Sequence, residues 1–360
     1  MDRKIYTIYG SNACRMTMEL MDRAAVASRI PSRTARICMK PNLVVAKPPE
    51  TGATTHTGIL EGVIRYLQDN GFTNIDIIEG SWVGDSTKRA FAATGYDRLA
   101  EKYGVGLYDL KGDTTSPVRT PIGDIYVCRR ALKADYLINL PVLKGHCQTV
   151  MTCALKNMKG CLPDREKRHF HSMGLIKPIA ALSAALRPDL IIVDSICGDL
   201  NFEEGGTPVQ TNRMMLGFDP VQMDAYGCSL MGIDPDEVGY IPLAEKYGGG
   251  SMALSQEDII FLNEPGKESY PARGRAVERL TKNVRQKDAC SACFGTLVHA
   301  LYRLEEQGRP CRERISIGQG FRGENVSGIG IGRCCSQADR CVMGCPPSAE
   351  DIIKALDEQE

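Results

Sequence analysis

Apolar and polar positions follow two different periods along residues 1–265, and the two take turns. "ARICMKPNLVV" reads as a strand running into a loop. In "TGILEGVIRYLQDNG", Ile59, Leu60, Val63, Ile64 and Leu67 fall at helical spacing, and Asn70-Gly71 marks the stop. "NIDIIEG" returns to a strand, "YDRLAEKYG" is a short helix, and "VGLYDL" is a strand again. "ADYLINLPVLK" is apolar enough for a strand buried on both faces. "QTVMTCALKNMKG" places Val150, Met151, Ala154, Leu155 and Met158 on one side and predicts a helix. The helix "GLIKPIAALSAALRP" then leads into the strand "DLIIVDSI". Such alternation predicts an α/β domain with a mostly parallel sheet and helices on both faces.

The pattern breaks at "EPGKESYPARGRAVERLTKNVRQKD", which is charged and carries two prolines. The expected organisation is a substrate-binding domain over 1–265, a linker over 266–288, and a small C-terminal α/β domain over 289–360. In the tail, "CFGTLVHALYRLEEQGRP" predicts a helix with Phe294, Leu297, Val298, Leu301 and Leu304 inward. "RISIGQG" is a short strand, "SGIGIGRCC" is glycine-rich, and "SAEDIIKALDE" is a helix capped by Ser348 with Asp351 in the capping-box position.

Composition narrows the class. The chain has 360 residues, with Lys+Arg and Asp+Glu both 44, so neither a nucleic-acid footprint nor a polybasic membrane patch is expected. No secretory signal opens the chain, and its apolar runs are too short to span a bilayer. A cytoplasmic protein is expected. Against that background fifteen cysteines are many, and an odd number cannot pair completely. Cys14, Cys38, Cys128, Cys153, Cys161, Cys197 and Cys228 lie mostly in apolar stretches and read as small core hydrophobes.

The C-terminal cysteines read differently. Cys290-x-x-Cys293 opens the tail, and Cys334, Cys335, Cys341 and Cys345 close it. Zinc wants two close pairs, and Cys290/Cys293 with Cys341/Cys345 would serve. Three features favour an iron–sulfur cluster instead. Pro346 directly follows Cys345, as in ferredoxin-type ligands. "GIGIGRC" lets backbone N–H groups approach cluster sulfurs. Cys345 precedes a helix N-terminus, which favours thiolate. The expected ligands of a 4Fe-4S cluster are Cys290, Cys293, Cys334 and Cys345. Cys335 and Cys341 are spares, either of which can displace Cys334.

Polar groups recur where predicted strands give way to helices. Lys144 and His146 interrupt a buried strand in "LPVLKGH". Lys40 and Asn42 end another strand, Thr55 and His56 precede a helix, and Lys156 and Asn157 sit in "LKNMKG". His169 lies in the basic stretch "REKRHFHS", read as a loop. Ligands of open α/β sheets bind outside the carboxyl ends of strands, and lysines there suit a carboxylate or phosphate. No phosphate loop, nucleophile elbow or Rossmann fingerprint is present.

"KPNL", "TTH", "INLPVLKGH", "ALKNMKG", "DPVQMDAYGCSLMGIDP" and "GCPP" together resemble the domain of unknown function 362 family, a large and mostly uncharacterised prokaryotic group. The resemblance covers about 36–265 and, through "CSAC", "GRC" and "GCPP", the tail. It implies an iron–sulfur protein, since several members are such and many carry a ferredoxin-like module. The doubled Cys334-Cys335 and the added Cys341 depart from the pattern and leave the fourth ligand open. Lys144-Gly145-His146 alone is also similar to the nickel-dependent lactate racemase group.

The expected function is a redox enzyme of anaerobic metabolism that uses the cluster on a small anionic substrate. Lys144, His146 and His169 are the expected catalytic residues. Lys40, Asn42, Thr55, His56, Lys156 and Asn157 are the expected substrate-binding residues. A ferredoxin or flavoprotein donor and a homodimeric assembly are the expected partners. A hydro-lyase with one open iron, or an electron-transfer or cluster-carrier protein, are the alternatives.

Overall fold

The structure, a computed structural model, describes residues 2–266, 269–270 and 276–357. Residues 267, 268 and 271–275 of the expected linker lie outside the described residues, as does Glu358 of the last expected helix. The chain divides into two compact units, Met1–Arg168 with Ile176–Arg273, and His169–Leu175 with Gly274–Glu360.

The first unit is built on an eight-stranded sheet. Its spatial order is Ile259–Phe261, Ile5–Tyr9, Pro208–Gly217, Leu190–Asp199, Tyr136–Leu140, Ile37–Pro41, Ile75–Glu79, Gly106–Asp109. Only Pro208–Gly217 runs against its neighbours, so the sheet is mostly parallel. Every residue of the strands at 37–41, 75–79, 136–140 and 190–199 is buried, as a sheet covered on both faces requires. The helix Thr57–Asp69 turns Ile59, Leu60, Val63, Ile64 and Leu67 into one core with Ile37, Ile77, Ile138 and Ile192. Leu60 is fully buried there, so truncating it to alanine would cost about 2–5 kcal/mol.

The helix expected over "QTVMTCALKNMKG" does not form as read. The strand ends at Leu140, Val142 still bridges Asp194, and Lys144–His146 then pairs with Val150–Thr152 in a separate antiparallel ribbon. Val150 takes a φ of 68°, a left-handed conformation that a β-branched side chain strongly resists. Only Ala154–Asn157 is α-helical, continued by a 3₁₀ turn at Met158–Cys161. Its first amides are held from outside, because Asp224 Oδ1 accepts from Ala154 N at 2.6 Å. The stretch read as a basic loop is instead the helix Asp164–Ser172.

The second unit carries a four-stranded, wholly parallel sheet in the order Val284–Gln286, Ile315–Ile317, Val326–Ile331, Ala338–Val342. Its first strand and the helix Ala276–Leu280 fall inside the segment expected as a linker. The connections 318–325 and 332–337 are too short for a crossover helix, and each holds a 3₁₀ turn, Gln319–Phe321 and Arg333–Cys335. The helix Ser291–Glu306 forms as expected, and Ser348 caps Ala349–Asp357, its Oγ accepting from Asp351 N at 3.1 Å. Among the described residues no helix is long and apolar enough to cross a membrane.

Candidate functional site

In the first unit the polar residues singled out from the sequence gather beyond the carboxyl ends of the parallel strands, and they are buried. Lys40 is 1 % exposed, Lys144 0 % and Lys156 4 %, so none is the solvated surface lysine that its type usually is. Buried ammonium groups require partners. Lys40 Nζ lies 2.7 Å from Glu79 Oε2 and donates to Asn157 Oδ1 at 2.8 Å and to Pro41 O at 2.7 Å. The ammonium is thus held by one ion pair and two hydrogen bonds. Asn157 Nδ2 donates in turn to Asn139 Oδ1 at 2.7 Å. Lys40 and Asn157, expected to bind substrate, tie the strand ends together.

Lys144 reaches a different set. Its ammonium donates to Ala53 O at 2.6 Å, Glu203 O at 2.7 Å and Asn42 Oδ1 at 3.2 Å. Asn42 is fixed by Thr55, whose Oγ1 accepts from Asn42 N at 2.8 Å and donates to Leu140 O at 2.7 Å. Burial pushes the Lys144 ammonium down to about 7. Burial does the same to Lys159, also to about 7, helped by the charge of Lys156.

His146 Nδ1 accepts from the backbone N–H groups of Gln148 and Thr149, each at 3.0 Å. The proton of the neutral ring therefore sits on Nε2, which lies 3.3 Å from Glu203 Oε1. Burial, seconded by the Lys156 charge, lowers the imidazole to about 4. Lys156 Nζ donates to the Glu203 carboxylate and, at 3.1 Å, to Thr152 Oγ1. Burial works against the Glu203 anion, but the charge of Lys156 overrides it and holds the carboxyl well below its usual range.

His56, at the N-cap of its helix, meets Asp194. Its backbone N donates to Asp194 Oδ2 at 2.8 Å, and its Nδ1 lies 2.8 Å from the same oxygen. Burial opposes the imidazolium, but the Asp194 charge outweighs it and raises the His56 pKa. The carboxylate also fixes the ring's tautomer and aim. His169 belongs to the segment 169–175, which groups with the second unit.

Asp194 and Glu203 were not among the expected residues. Asp194 had a legible signal, since it interrupts the apolar run "LIIVDSIC" as Lys144 interrupts its own. Glu203 in "NFEEGG" reads as an ordinary solvated acidic turn and had none.

In the second unit three parallel strands deliver cysteines beyond their carboxyl ends. Cys290 follows Val284–Gln286, Cys334 follows Val326–Ile331 and Cys345 follows Ala338–Val342. Cys293 stands in the first turn of Ser291–Glu306. The Cys334 and Cys345 turns are tied together, Arg333 N donating to Gly344 O at 2.9 Å and Gly332 N to Val342 O at 2.9 Å. A Cβ on Gly332 would stand 3.3 Å from Cys293 Sγ, and φ there is +85°. Cys290 and Cys293 share a hydrogen bond, which lowers the Cys290 thiol to about 6 and raises Cys293. The charges of Cys345 and Cys334 also act on Cys293. Arg322 Nε donates to Cys334 Sγ at 3.4 Å, and its guanidinium also feels Cys345 and Cys290.

The two spares stand apart. Cys335 is fully buried against Phe321 and Val326, and burial raises its thiol. Cys341 Sγ faces Gly332 O and Met343 Sδ, each at 3.6 Å. Among the described residues no three His, Cys, Asp or Glu side chains form a group that could hold one metal ion. The scattered cysteines of the first unit are buried, Cys14 and Cys147 excepted. Burial pushes Cys38 and Cys128 up to about 12 and Cys197 to about 11, as expected for inert core thiols.

Known proteins resemble parts of this chain. A thylakoid-associated protein of Synechocystis is 24% identical over 220 residues, which are 59% of this chain and 68% of that protein. The solved structure of the lactate racemase apoprotein from Thermoanaerobacterium thermosaccharolyticum aligns with a TM-score of 0.40 at 14% identity. That alignment spans 64% of this chain and 58% of the racemase. The family model described as Domain of unknown function (DUF362) matches residues 37–229, which hold the strand ends, the ribbon and the short helix of the lysine cluster, and the chain belongs to that family.

Proposed function

We propose that this chain is an iron–sulfur protein that carries out redox chemistry on a small anionic substrate. In this reading the second unit holds a 4Fe-4S cluster on Cys290, Cys293, Cys334 and Cys345, and the first unit takes a carboxylate- or phosphate-bearing substrate. The observation that carries it is the sorting of the six tail cysteines. Cys290 and Cys293 share a hydrogen bond, Gly332 sets the Cys334 turn against Cys293 Sγ, Arg333 N ties that turn to Gly344 beside Cys345, and Arg322 donates to Cys334, while Cys335 packs into the core and Cys341 faces a methionine. Thiolates are soft ligands suited to such a cluster, and Arg322 offsets part of its negative charge. The cluster, when bound, supplies one-electron transfer, and a ferredoxin or flavoprotein is the proposed external donor.

The large unit contributes binding and charge. Lys156 is a buried ammonium that stabilises an anion where water is excluded, and Lys144 fixes the Glu203 backbone beside it. His146 acts as a neutral donor through Nε2, because its Nδ1 is taken by two backbone amides. The Asp194–His56 pair is the better proton carrier, its ring oriented by a fully buried carboxylate.

Anaerobic purification followed by iron and sulfide counting, and EPR after reduction, tests the reading. The expected result is about four irons and four sulfides per chain, with a reducible signal. Zinc without sulfide would overturn it. Retention of all the iron after Cys334→Ser would overturn the ligand assignment and favour an open-site hydro-lyase.

A further inference from the structure

Three of the groups expected to face substrate converge on one residue, Glu203. Lys156 Nζ and His146 Nε2 engage different oxygens of its carboxylate, and Lys144 Nζ donates to its backbone carbonyl. The side chains of His146 and Lys156 are 3% and 4% exposed, whereas that of Glu203 is 24% exposed. Glu203 therefore lies between solvent and the buried donors.

Its loop joins the strands Leu190–Asp199 and Pro208–Gly217 and is pinched at the base. Asp199 accepts from Asn201 N at 2.9 Å, Phe202 N at 2.6 Å and Thr207 N at 2.6 Å. Beyond that pinch Lys144 holds Glu203 O, and Lys47 holds Glu204 O at 2.7 Å. The loop meets the Lys144–His146 strand at Gly145, where a Cβ would stand 2.1 Å from Leu200 O. The tip is thus held by Lys144 of the cluster and by Lys47, while its base is fixed by Asp199.

We infer that the position of the Glu203 carboxylate is a carboxylate-binding subsite, and that Glu203 competes for it with a carboxylate-bearing ligand. This rests on reading the large unit as an anion site, and it adds the ligand class and the residue that controls entry. Two donors on two oxygens of one planar group match a carboxylate. A carboxylate ligand would replace the Glu203 charge one for one, so Lys156 keeps a counter-charge when the two are exchanged.

The test is calorimetric titration of the full chain with acetate and with inorganic phosphate, in wild type, Glu203→Gln and Lys156→Met. Glu203→Gln is expected to bind acetate about tenfold more tightly than wild type, and Lys156→Met to lose that binding. Amide exchange of 200–207 in wild type is expected to speed up when acetate saturates, an arm that needs no variant. Stronger protection of 200–207 with acetate, or a preference of Glu203→Gln for phosphate, each overturns the inference. If neither anion binds any of the three proteins, the anion-site reading falls and takes the inference with it. Binding to wild type without a gain in Glu203→Gln overturns the competition alone.

Discussion

The lysine cluster of the first unit and the cysteine group of the second stand in the same place relative to their sheets, beyond the carboxyl ends of parallel strands. They are held together in opposite ways. In the first, two buried lysines meet carboxylates of the chain, Lys40 with Glu79 and Lys156 with Glu203. In the second, the four thiols have one hydrogen bond among them and one cation, Arg322, beside them. The first is a self-completed polar core that must be entered, the second a set of soft donors. Stability should depend on the first set residue by residue, while the second should matter through what it binds.

The largest expected effect tests the self-completed side. Glu79→Ala leaves Lys40 charged and buried without its carboxylate, which should cost about 3–5 kcal/mol. The only tryptophan, Trp82, lies in the first unit, so its fluorescence in urea reads that loss. Cys290→Ser should leave the same midpoint unmoved, and equal shifts in the two variants would erase the contrast.

Next in size is Cys335→Ser, which places a hydroxyl in an apolar core for about 1–3 kcal/mol. Hydrogen exchange in the helix Ser291–Glu306 should quicken while iron content stays constant. Loss of iron would put Cys335 among the ligands.

Another effect depends on pH. His146 stays neutral in the folded chain down to about 4, whereas an unfolded histidine protonates near 6.5. Between those values the unfolded chain binds the extra proton, so stability falls as pH drops through that window, by up to about 1.4 kcal/mol per pH unit. His146→Gln should flatten that slope in urea titrations from about pH 6.5 to 4, and an unchanged slope would place its origin elsewhere. The smallest effect is Cys341→Ser. Iron, sulfide and the EPR signal should all match wild type, and a changed signal would return Cys341 to the ligand set.

Charge breaking an apolar run was the most legible feature of the site. Lys144 stood out that way, and Asp194 met the same criterion without being picked out. The helix Thr57–Asp69 was legible because a 3.6-residue period over several turns has no competing reading. "QTVMTCALKNMKG" carried a helical pattern too, but the ribbon with Lys144–His146 and the grip of Asp224 on Ala154 overrode it. Those partners are 70 residues apart in one case, beyond the reach of any local period.

The sequence by itself determined the alternation of strand and helix, the buried character of the sheet, the strand-end lysines and the division of cysteines into core thiols and a tail group. Each follows from local period or composition, which tertiary packing respects. Only the tertiary structure decided that Lys40 braces while Lys156 faces Glu203, that His56 is paired with Asp194, and that Cys334 rather than Cys335 lies beside Arg322. These are choices among chemically equivalent side chains. They rest on which face of a turn each one takes when distant strands fix that turn in space.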